Sequence, residues 1–145
     1  MRTHWLPLAM ICAAVPSLAA GSEHFTVSAS FRAPAKPDGV GSLSVTFVPK
    51  DPGVHINEEP APRLKLEDQS VLADKQAPPP AKAHTFDPQN AKYLDTTFPL
   101  SFPVAWAGKP PATMRSVTAT VVYFYCSERE GWCRKGSDTV AFNVP

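Results

Sequence analysis

Hydrophobic and polar positions alternate along several separate stretches of this chain. Phe25, Val27, Ala29 and Phe31 stand two apart with other residues between them, and so do Leu43, Val45 and Phe47. A period of two places one set of side chains on a single face of an extended backbone, so both stretches predict strands with one buried face. Leu64 and Leu66 form a shorter piece of the same kind. Phe98, Leu100, Phe102, Val104 and Trp106 keep the period longest. Pro99 and Pro103 fall on the opposite face of that run. Proline has no N–H to give to a ladder, so the run is expected at a sheet edge or with a bulge. Ser116 to Tyr125 is dense in Val, Thr and aromatic residues, and Thr139 to Val144 alternates again. These two predict the arms of a hairpin.

Between those arms, Cys126-Ser-Glu-Arg-Glu-Gly-Trp-Cys133 and Arg134 to Asp138 form a polar, glycine-containing passage suited to a hairpin end. Further breaks fall at Ala33 to Gly41, Pro49 to Pro62, Ala77 to Lys82 and Gly108 to Thr113. The chain shows neither an internal repeat nor an amphipathic helical pattern. Six or seven short strands with turns at this spacing predict an all-β, antiparallel sandwich of one domain. Composition agrees, because 17 prolines against 7 glycines favour stiff turns and edges over long helices.

The N-terminus changes the charge and cysteine count. Arg2, a short apolar run from Leu6 to Val15, and Ser17-Leu18-Ala19 have the layout of a secretory signal peptide, giving an expected leader over 1–19 and a mature domain over 20–145. The apolar run falls short of the roughly 20 residues a membrane-spanning helix needs, so no membrane insertion is expected after cleavage. Cleavage removes one of 14 basic residues and none of the 13 acidic ones, which leaves 13 of each. A formal charge of zero argues against an electrostatic hold on nucleic acid. The leader also takes Cys12, so three cysteines become two in a compartment where thiols are commonly oxidised. A Cys126–Cys133 disulfide is the natural reading.

Six residues lie between these cysteines, unlike the two-residue spacing of thioredoxin-like redox motifs and zinc knuckles. As a simple staple, a loop this small is worth about 2.5 kcal/mol by chain entropy. His24, His55 and His84 are scattered and show no ligand spacing, so no metal or other cofactor is expected. Glu58, Glu59, Glu128 and Glu130 read as solvated loop carboxylates, and no serine stands in a nucleophile-elbow motif. Tyr123 and Tyr125 alternate onto one face and are expected to pack in the core. Trp132, beside Cys133, is either an exposed docking contact or a lid over the disulfide or the sandwich end.

Three stretches resemble the N-terminal periplasmic domain of the DsbD thiol:disulfide interchange proteins. They are Leu43 to Asn57 with the Pro-rich passage to Leu66, Phe86 to Val104 with Tyr93, and Val121-Val-Tyr-Phe-Tyr-Cys126 leading to Cys133. The resemblance implies an immunoglobulin-like sandwich in the periplasm. It also implies that Cys126 and Cys133 accept electrons from a thioredoxin-like or other periplasmic redox protein and pass them on by thiol–disulfide exchange. In that family an aromatic residue caps the pair, and Phe86 is the matching position. A purely structural disulfide in a non-enzymatic binding module is the alternative.

Overall fold

The computed structural model describes residues 22–74, 83–86 and 91–145, with the side chains of 83–86, 91 and 92 outside that description. The expected leader over 1–19, with Cys12, and the expected break at Ala77 to Lys82 lie outside the described residues. Ten strands are described: β1 (Phe25–Arg32), β2 (Gly41–Pro49), β3 (Val54–Ile56), β4 (Arg63–Leu66), β5 (Leu72–Asp74), β6 (Ala83–Phe86), β7 (Ala91–Leu94), β8 (Leu100–Trp106), β9 (Arg115–Ser127) and β10 (Trp132–Val144). All pair antiparallel, and the described residues contain no helix. One sheet runs β1-β2-β8-β5. The other runs β10-β9-β3, with β4 also paired to β9, and β6 and β7 form a separate two-stranded hairpin.

The two larger sheets enclose the core of an antiparallel sandwich, as the alternation predicts. Phe25 and Val27 of β1, Leu43, Val45 and Phe47 of β2, and Leu100, Phe102 and Val104 of β8 supply one wall. Val117, Ala119, Val121, Tyr123 and Tyr125 of β9, with Val140, Phe142 and Val144 of β10, supply the other. Phe25 meets Tyr123 and Tyr125 edge-on at centroid distances of 5.8 and 5.6 Å, and Phe47 meets Tyr123 at 5.1 Å. Such edge-to-face pairs contribute about 0.5–1.5 kcal/mol each beyond their burial. At the far end Phe31 packs on Trp106 and Phe142.

Four expectations change. The longest alternating run begins its strand at Leu100, because Phe98 lies in a turn where its N–H bonds the Asp95 carbonyl at 3.3 Å and its side chain is 55% exposed. That strand is interior rather than at an edge, with β2 on one side and β5 on the other. β5 reaches only Val104 to Trp106, however, so Pro103 faces one neighbour, and the ladder asks for no donor on its open side. The polar passage between the hairpin arms is mostly strand. β9 continues through Ser127 and β10 begins at Trp132, leaving Glu128 to Gly131 as the connection. Alternating polar residues along an exposed strand face produced the loop-like composition. The short strands β3, β5, β6 and β7 bring the total above the six or seven expected.

The turn needs Gly131, whose φ of 70° is costly for other residues, and its N–H bonds the Ser127 carbonyl at 2.9 Å. Gly136 serves a different purpose. A Cβ there would come within 2.6 Å of the Tyr123 ring, which lies across the glycine and extends its hydroxyl to the Asp138 carboxylate. Asp138 is 4% exposed, so this bond satisfies a charged group on an otherwise apolar face. Burial first, and the bond to Asp138 second, raise the Tyr123 hydroxyl far above its ordinary pKa.

Replacing Tyr123 with Phe is expected to cost about 1–3 kcal/mol in urea unfolding, because Asp138 is left buried without its donor. A raised folded-state pKa also means that the unfolded chain loses the phenolic proton first. Stability contributed by this group is therefore intact below about pH 10 and falls above it. The Tyr123→Phe protein should show a shallower alkaline decline than the parent, and equal slopes would refute the assignment.

Candidate functional site

β9 is the middle strand of its sheet near its C-terminal end, with His55 of β3 opposite Cys126 on one side and Cys133 of β10 opposite it on the other. Directly opposed residues in antiparallel strands share a face. Tyr125 points into the sandwich, so its neighbour Cys126 points out of it. The disulfide joins Cys126 to Cys133 with Cα atoms 4.0 Å apart, a cross-strand bridge at a narrow position of the ladder. The two half-cystines differ in exposure. Cys126 is 7% exposed, whereas Cys133, on the edge strand, is exposed to solvent.

Polar groups gather around the buried half. The Asn57 side-chain amide lies 3.2 Å from Cys126 Sγ. Asn57 is fixed by its own backbone, whose N–H bonds the Phe124 carbonyl at 2.8 Å, and by a bridge to Tyr93 of β7. His55 Nε2 lies 2.7 Å from Glu128 Oε1, both side chains being less than a quarter exposed at 24% and 18%. Glu128 is held there because its N–H bonds the Gly53 carbonyl at 3.1 Å, which ties the hairpin turn to the start of β3. The Tyr93 ring stacks on His55 at 5.0 Å, and burial first and the Glu128 carboxylate second raise its hydroxyl pKa.

A second cluster occupies the opposite face. Trp132 packs edge-on against Tyr125 at 5.7 Å, His24 lies 5.2 Å from the Trp132 ring and 5.5 Å from that of Tyr125, and the Arg134 guanidinium sits 4.3 Å over the indole. Trp132 therefore covers the end of the sandwich and not the disulfide, since Trp132 and Cys133 are consecutive in a strand and point to opposite sides. It is half-buried, and its indole N–H donates to Glu130 Oε2.

The structure thus brings Cys126 and Cys133 together and keeps Trp132 behind them. Phe86 stands at the end of the β6–β7 hairpin, paired with Ala91, and its side chain is outside the description. Tyr123 and Tyr125 are core residues as expected. His24, just before β1 of the other sheet, packs on the inner side of the β10-β9-β3 sheet, His55 stands on that sheet's outer face, and His84 is in β6. Among the described residues, three or more His, Cys, Asp or Glu side chains do not converge as a metal would require. The Asn57, His55 and Glu128 grouping was not visible in the sequence. Val54-His55-Ile56 is too short a strand to show its period inside the Pro49 to Pro62 break, and Glu128 reads as a solvated turn residue until β3 is placed beside it. No protein-family model matches the chain, and no curated protein matches it at a significant level.

Replacing His55 with Ala leaves the partly buried Glu128 carboxylate without that partner, and a loss of about 1–2 kcal/mol is expected in chemical denaturation. Glu128→Gln keeps a hydrogen-bonding group and should lose less. An unchanged midpoint for His55→Ala would mean that the contact contributes nothing to stability.

Proposed function

We propose that this chain is an exported thiol–disulfide exchange domain, an electron relay using the Cys126–Cys133 pair in the manner of the immunoglobulin-like N-terminal domain of DsbD. The observation that carries the reading is the unequal exposure of the two half-cystines within one cross-strand disulfide. Exchange requires a thiolate to reach one sulfur in line while the other departs. Cys133, exposed on edge strand β10, is the half that an incoming protein meets, and Cys126 is the half that leaves.

The chemistry balances with a thioredoxin-like dithiol as reductant. Its thiolate attacks Cys133 Sγ, a mixed disulfide forms, the Cys126–Cys133 bond breaks, and the electron pair remains on Cys126. The donor's second thiolate then attacks its own sulfur in the mixed disulfide and releases Cys133. Two electrons have moved from the donor, now a disulfide, to the pair, and the two new thiolates take up the two protons that the donor gave up. The reverse sequence with an oxidised periplasmic partner discharges the relay. The hairpin carrying Phe86 meets the residue after β3 at the Asn57–Tyr93 bridge, and Asn57 is the residue touching Cys126, which supports the cap role that the resemblance gives Phe86. Lys135, exposed and two residues along β10 from Cys133, stands on the face of that sulfur and offers a cationic contact to the docking partner, whereas Trp132 and Arg134 lie on the other face.

The competing reading is a binding module stapled by the same disulfide. It draws on the position of the pair beside the hairpin turn, where closing a short loop limits the unfolded chain. The two readings separate on the reduction potential of the folded protein, measured by equilibration with glutathione and thioredoxin buffers and thiol trapping. A relay predicts a potential above about −270 mV, and a staple predicts one below about −300 mV. Cys126→Ser and Cys133→Ser should abolish electron transfer in a relay while the fold persists. In a staple they lower the unfolding temperature and change nothing else.

A further inference from the structure

We propose that Asn57 is a catalytic residue of the exchange reaction, donating an amide N–H to Cys126 Sγ and stabilising the thiolate that forms when the disulfide opens. This rests on the relay reading above and assigns a residue to its least favourable moment, the build-up of negative charge on a buried sulfur.

The contact itself is the starting point. Asn57 places its side-chain amide 3.2 Å from Cys126 Sγ, with the oxygen end of the amide nearest. A disulfide sulfur carries lone pairs and no hydrogen, so it has nothing to donate to that oxygen. The oxygen and nitrogen ends of an asparagine amide exchange by a half-turn of the side chain, and the arrangement that makes a hydrogen bond presents Nδ2–H to the sulfur. The bond then strengthens as the sulfur becomes a thiolate, because donors to charged acceptors are roughly twice as strong as those to neutral ones. An interaction that is stronger after bond cleavage than before it favours cleavage.

The surroundings make such a donor necessary. Cys126 is 7% exposed, so little water reaches its side chain, and burial disfavours the charged form of a thiol. The exposed Cys133 has no comparable need. Asn57 is also fixed before the reaction begins, by its N–H bond to the Phe124 carbonyl and its bridge to Tyr93, so the donor does not have to be ordered when charge appears. The titratable groups that face this part of the sheet are His55 on β3, Glu128 after β9, Tyr93 on β7 and Lys135 on β10. Glu128 is engaged with His55, and Asn57 places its amide against the sulfur.

The test uses the mature chain with Cys133→Ala, so that Cys126 is the sole thiol, and follows its ionisation by thiolate ultraviolet absorbance across pH. Asn57→Leu keeps the size and removes the donor, and Asn57→Asp keeps the shape and offers only acceptors at neutral pH. The titration is expected to move alkaline by about one pH unit in Asn57→Leu, a tenfold smaller thiolate fraction at a given pH, and further in Asn57→Asp. In the two-cysteine protein, Asn57→Leu should slow reduction of the disulfide by thioredoxin about threefold. Native circular dichroism with an unmoved titration in both variants overturns the proposal and leaves the relay reading standing. Failure of thioredoxin to reduce the parent disulfide removes the relay, and Asn57 then has no exchange reaction to serve even if the titration moves.

Discussion

The aromatic contacts that fasten Tyr123 and Tyr125 to Phe25 and Phe47 determine the rest of the molecule. They set which residues of β9 face inward, and in a strand with a period of two that choice also sets which face outward. Tyr125 inside means Cys126 outside. A one-residue slip of β9 would turn Cys126 toward the core and expose the two tyrosines, losing the burial of large side chains worth about 1.5–3 kcal/mol each. The place of the disulfide on the outer face of the sheet is therefore a consequence of core packing. Gly136 and Asp138 reinforce the same choice, since the Tyr123 ring and hydroxyl fit only over a glycine with an acceptor two residues further on.

From that parity the site assembles across three strands. β9 supplies Cys126, β10 supplies Cys133, β3 supplies His55, and Asn57 follows β3 directly. The hairpin turn closes the arrangement by placing Glu128 against His55. Core and site are back to back on one strand. The aromatic face stabilises, the sulfur-bearing face presents chemistry, and Trp132 with His24 seals the sandwich end at the level where the disulfide stands on the other side.

Strong alternation made much of this legible in the sequence. β1, β2, β4, β8 and the long hairpin of β9 and β10 follow from residues two apart, and cysteine parity in the mature chain pointed to the pair that the structure bonds. What remained hidden has physical reasons. β3 and β5 are three residues each and exist because β9 and β8 offer them partners, so their signal lies in the partner strand and not in their own composition. The start of β10 looked like loop because Arg134, Lys135, Gly136 and Ser137 are polar or small, although one face of an edge strand is free to be so. The Asn57 and His55–Glu128 contacts depend on register between distant segments, which a linear pattern does not contain.

The edge position of β10 has an implication for how this protein behaves in crowded surroundings. β10 has a ladder partner on one side alone, and although β1 approaches it closely, backbone groups left outside the ladder are a template on which a second copy could extend the sheet. Arg134 and Lys135 sit side by side on that strand and are both exposed. Bringing such an edge against another chain requires these cations to shed water or to meet like charge. The same charged stretch that made the strand hard to recognise thus opposes pairing with a second copy at the end of the strand that carries the more accessible sulfur.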